Sequence, residues 1–201
     1  MCARYYFGTY KKPVYSFLDK GEVTRALSFI REHREYDDLC DRHQIELLIL
    51  EANCNLFAND FDQANYNLRI AGERIIECSL KGSIVWFYYQ TKAVEMILTN
   101  HLQAAVKLLQ TADNHAETDC QHGIIEYYYA IINFREGFKK PAHDHACLAG
   151  KSLKDDNGIL MMNCQHLRRI TRKRMRLTSM LFPELDPNYT DSKIFDWLVH
   201  C

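Results

Sequence analysis

Nine alanines constrain this chain more than anything else in it. Ala52, Ala64 and Ala71 are spaced by 12 and 7 residues, Ala93, Ala105 and Ala112 repeat both spacings, and Ala130, Ala142 and Ala149 repeat them again, with 41 and then 37 residues between the sets. Seven residues make two helical turns, so the last two alanines of each set share a face of one helix, and the twelve-residue step crosses a turn to a facing helix. The pattern therefore predicts antiparallel helical hairpins, with small side chains where the two backbones approach too closely for larger ones. Flanking apolar residues agree: Phe61, Leu68 and Ile75 join Ala64 and Ala71, and Leu102 and Leu109 join Ala105 and Ala112, at steps of three and four.

Turn signals fall where hairpins need them. Asn59-Asp60 and Thr99-Asn100 precede second helices, each with a glutamine downstream (Gln63, Gln103) in a capping-box-like arrangement. Pro141 suits a first helical turn, and Gly82, Gly123 and Gly137 read as connections. These signals predict helices near 43–58 and 61–79, 83–98 and 101–117, and 122–136 and 140–152, with a weaker upstream copy at 11–18 and 22–35 around the turn Asp19-Lys20-Gly21. The expected fold is all-α: a repeat array over residues 1–157, a longer C-terminal capping helix over 158–182, and an irregular tail over 183–201 with a short apolar segment.

Composition supports this and excludes other classes. Only 8 Gly and 4 Pro among 201 residues argue against a turn-rich β-sandwich or barrel. A net charge of −1 gives no overall attraction to nucleic acid or anionic lipid. The longest uncharged apolar run, Ile84 to Tyr89, is far short of a membrane span. The first ten residues lack the basic start and apolar stretch of a signal peptide, so the expectation is an intracellular protein, cytoplasmic or nuclear. The eight cysteines are scattered without a C-x-x-C pair and read as reduced, small hydrophobes.

The helix-turn-helix unit with small residues in these three places resembles the tetratricopeptide repeat (TPR) superfamily in a long, 37–41-residue form, over residues 43–153 and more weakly over 11–35. The tryptophan and Leu-Gly of the usual first helix and the closing proline are absent here. The resemblance implies a superhelix whose first helices line a concave, peptide-binding face. On that geometry Ile49, Asn53, Phe87, Gln90, Val94, Tyr127, Tyr128 and Ile131 are the candidate partner-binding residues, in an apolar and aromatic groove suited to an amphipathic or extended hydrophobic segment of another protein. The carboxylate-holding residues of chaperone-binding members are not kept, apart from Asn53. Because Ile84 to Tyr89 make one helix apolar nearly all round, the same residues also fit a buried central helix.

Two further features admit other readings. Arg168, Arg169, Arg172, Lys173, Arg174 and Arg176 put six cations in nine residues. Arg168, Arg172 and Arg176 form one stripe, either a solvated face of the capping helix or a patch for phosphate, an acidic partner or nuclear import. Cys120 and His122, His143, His145 and Cys147, and Cys164 and His166 pair zinc-binding residue types, at spacings that match no finger, so no metal or other cofactor is assigned. No catalytic motif occurs, and the cysteine–histidine pairings are too many to single out a nucleophile and base. The expectation is a non-catalytic adaptor or complex subunit. A nucleic-acid-associated regulator acting through the basic stripe and an obligate homo- or hetero-oligomeric building block are the alternatives.

Overall fold

The computed structural model describes residues 8, 10–18, 20–35, 39–153, 164–165, 167–168 and 171. Eight helices form among them and no strand does: α1 (Lys11–Leu18), α2 (Val23–Arg34), α3 (Asp41–Phe57), α4 (Phe61–Glu77), α5 (Ser83–Leu98), α6 (Leu102–Asp113), α7 (Asp119–Arg135) and α8 (Lys139–Ser152). Successive helices pack in pairs, α1 with α2, α3 with α4, α5 with α6 and α7 with α8. All nine repeat alanines are fully buried, as is Ala26 in the upstream copy. An added methylene at such a site meets a close-packed neighbour.

The same backbone device ends five helices. Gly21, Asn59, Ser79, Asn100 and Gly137 adopt positive φ between 50° and 86°. After each, the next amide reaches back to a carbonyl five residues earlier, Asp60 to Asn55, His101 to Met96 and Phe138 to Asn133 among them, while the left-handed residue itself donates three residues back. This is the Schellman closure, which satisfies orphan carbonyls and reverses the chain in a few residues. Glycine and asparagine tolerate the left-handed conformation best, which is why the turns were legible.

The N-terminal caps divide differently from expectation. Asp60 accepts from the Gln63 amide at 3.1 Å, but α6 starts after His101 without a side-chain cap, because Asn100 is used in closing α5. A complete capping box lies instead at Thr118 and Gln121, at the start of α7. Replacing Thr118 by alanine should cost about 1 kcal/mol, seen as a lower urea midpoint that Thr118→Ser restores. An unchanged midpoint for the alanine variant would remove the box from the account.

The helices fall into two compact units, Met1–His115 and Ala116–Cys201. In the first, α3 packs against α1, α2, α4 and α5. In the second, α7 and α8 pack closely at Gly123, which lies inside α7 rather than in a connection. A Cβ there would stand 2.8 Å from Leu153 Cγ and 3.0 Å from Ser152 Cβ, so glycine is needed for contact and not for a turn. Of the predicted capping helix, residues 164, 165, 167, 168 and 171 are described and helical; the remainder of 158–182 and the tail lie outside the described residues.

Candidate functional site

The eight positions expected to line a groove are core positions. Ile49, Asn53, Phe87 and Gln90 are fully buried, and Val94, Tyr127, Tyr128 and Ile131 nearly so. The physical reason in the first unit is that α3 and α5 are enclosed by neighbours on several sides, so their apolar residues all round the helix serve packing. Asn53 shows the role clearly: its Nδ2 donates to the Ile49 carbonyl and to Thr91 Oγ1, each at 3.1 Å, tying α3 to α5. In the second unit Tyr127 and Tyr128 sit with ring centroids 6.2 Å apart, on α7.

Between α1, α3 and α5 lies a buried charged cluster that sequence reasoning missed. Lys11, in the first turn of α1, is only 3% exposed. Its Nζ is 4.6 Å from the Phe87 ring centroid, 5.5 Å from that of Trp86 and 6.0 Å from that of Tyr15. Burial lowers the Lys11 ammonium to about 8, and the charge of buried Glu46 on α3 pulls it back upward. The Tyr15 hydroxyl is pushed well above its usual range by burial, with Cys54 and Glu46 adding to the rise. Ammonium, carboxylate and aromatic faces thus bolt α1 onto the inner faces of its neighbours. Nothing in the sequence around Lys11-Lys12-Pro13 signals this burial.

The second unit brings some Cys and His residues together. His145 Nδ1 is 2.6 Å from Glu126 Oε2, linking α8 to α7, with the Tyr129 ring centroid 5.4 Å from the imidazole. His143 Nε2 is 3.5 Å from Cys147 Sγ, and its Nδ1 is 2.9 Å from Thr171 Oγ1. Cys164 is buried, its thiol pushed up to about 12 by burial, with the Arg168 charge opposing and Cys147 reinforcing the rise. Among the described residues no three His, Cys, Asp or Glu side chains are placed to hold a metal ion. Cys120 is disulfide-bonded, against the expectation of reduced cysteines throughout; Cys40, Cys54, Cys78, Cys147 and Cys164 are free thiols. His166 lies outside the described residues. So does the basic stripe, apart from half-buried Arg168: Arg169, Arg172, Lys173, Arg174 and Arg176 are not described.

One described face carries apolar groups into solvent in a regular row. On α4, Tyr66, Arg69, Glu73 and Ile76 follow at intervals of three, four and three residues, so they share one side of the helix. Tyr66 is 52% and Ile76 78% exposed. Between them the Arg69 guanidinium lies 5.5 Å from the Tyr66 ring centroid and pairs with Glu73 at 2.7 Å. In the second unit Phe138 and Leu148 are the exposed large apolar residues. Among the described residues no helix is long and apolar enough to cross a membrane. No protein-family model, curated protein or solved structure matches the chain.

Proposed function

We propose that this chain is a non-catalytic protein–protein interaction module of TPR-like helical hairpins, an intracellular adaptor or complex subunit, and that it binds its partner along the outer face of α4. The observation that carries this reading is the exposed row Tyr66, Arg69, Glu73 and Ile76. Spacing of three, four and three is that of an amphipathic helix seam, and two large apolar side chains held in water at its ends are anchors for a partner helix. The Arg69–Glu73 pair between them gives register to a segment with complementary charges. The buried aromatic residues of α5, which packs against α4, supply rigidity to this face and are not themselves the contact.

The test is affinity capture from the native cell, followed by titration of the captured partner against variants. Tyr66→Ala with Ile76→Asp should weaken binding by more than about tenfold, at about 1–2 kcal/mol for each anchor, with unchanged thermal unfolding. Full binding by the double variant would reject the α4 face. If the bound species is a second copy of this chain, light scattering will show the dimer dissociating in the same variant.

A further inference from the structure

We infer that Cys147 is a site of reversible S-thiolation, a thiol that exchanges with small aliphatic disulfides because His143 and Thr171 present a base to it. His143 and Cys147 are one turn apart on α8, so their side chains lie on one side of the helix. Imidazole Nε2 and the sulfur are 3.5 Å apart. What makes this more than a chance neighbour is the third group. Thr171 Oγ1 lies 2.8 Å and 3.1 Å from the carbonyl oxygens of Leu167 and Arg168, acceptors that only its hydroxyl proton can serve. With that proton on a carbonyl, the Thr171 oxygen accepts from His143, 2.9 Å away, and Nδ1 carries the imidazole proton. The tautomer so fixed leaves the Nε2 lone pair aimed at the Cys147 thiol, the arrangement of nucleophile, base and orienting group that activates a thiol.

The other free cysteines of the described chain are less suited. Cys54 and Cys164 are buried and their thiols are held protonated by burial. Cys78 is pushed up by burial and by the neighbouring Asp41 charge. Cys40 is partly exposed and has an imidazole contact, 3.6 Å to His43 Nδ1, and so serves as the internal comparison. Cys147 is also partly exposed. In the reaction, Nε2 takes the thiol proton and the Cys147 thiolate attacks one sulfur of RS–SR. A Cys147–SR bond forms as the old S–S bond breaks, and the departing RS⁻ takes up the proton from His143. The cysteine sulfur is oxidised, the departing half of the small disulfide is reduced to a thiol, and excess small thiol reverses the exchange.

The experiment treats the purified full chain with glutathione disulfide and follows adducts by intact mass and peptide mapping over time. Among the described cysteines the first adduct is expected on Cys147, ahead of Cys40. His143→Gln should slow it on the order of tenfold or more, and Thr171→Val, which keeps the side-chain shape, by a smaller factor, with the rate at Cys40 unchanged in both. Thr171→Val stands in should the histidine variant not fold. First reaction at Cys40, wild-type rates at Cys147 in both variants, or an internal Cys147–Cys164 disulfide in place of the mixed one would each overturn the assignment.

Discussion

Replacing Lys11 by methionine, or Glu46 by glutamine, is expected to destabilise the first unit by about 3–5 kcal/mol each, because each leaves the other charge buried without its counter-charge. The double variant should recover part of that loss, with a coupling of at least about 1 kcal/mol in a double-mutant cycle measured by urea unfolding. Two near-neutral, additive single variants would remove the bolt from the account. The pH dependence has a definite sign. Burial lowers Lys11 from 10.5 to about 8, so between those values the unfolded chain holds more protons than the folded one. Stability relative to the double variant therefore rises with pH across that window, by up to about 3 kcal/mol, and is level below it. Tyr15 and Cys54 are held protonated in the fold and act in the opposite sense at high pH, Tyr15 less so in the double variant, which lacks Glu46.

The second large effect concerns the aromatic residues whose position permits either a groove or a core. Phe87→Ala in the first unit and Tyr128→Ala in the second should each cost about 3–5 kcal/mol, the range for emptying a large, fully buried site. In thermal unfolding followed by circular dichroism, each variant should lower the midpoint by roughly 10 °C or more. Binding by the folded fraction should persist. A variant with the wild-type midpoint and lost binding would return these residues to a partner-binding face.

The hairpins were legible because they rest on local and periodic rules. The spacing of nine alanines sets which helix faces meet, and Asn59, Asn100 and Gly137 occupy the left-handed positions that close three helices. Predicted and observed helices consequently agree to within a few residues along the described chain. Gly123 was misread as a connection because a glycine needed for helix contact has the same one-letter signature as one needed for a turn. Asn100 was misread as a cap for the following helix because it was already engaged in closing the preceding one.

The site was far less legible. An amphipathic pattern says which residues leave water, but not whether a further surface covers them, so Phe87, Gln90 and Tyr128 fitted an open groove as well as a closed core. Nothing near Lys11 in the sequence marks it for burial, because Glu46, Trp86 and Phe87 lie 35 to 76 residues away in the chain. Among many cysteine–histidine pairings, only the fold could single out Cys147 and His143, since Thr171, 28 residues from His143, orients the ring. What the sequence alone determined was an all-helical chain of hairpins, because helix period, close-contact alanines and turn chemistry act between near neighbours. Tertiary structure alone decided which apolar faces are shut, which charges are buried and which thiol meets a base, because burial and orientation depend on side chains brought together from distant segments.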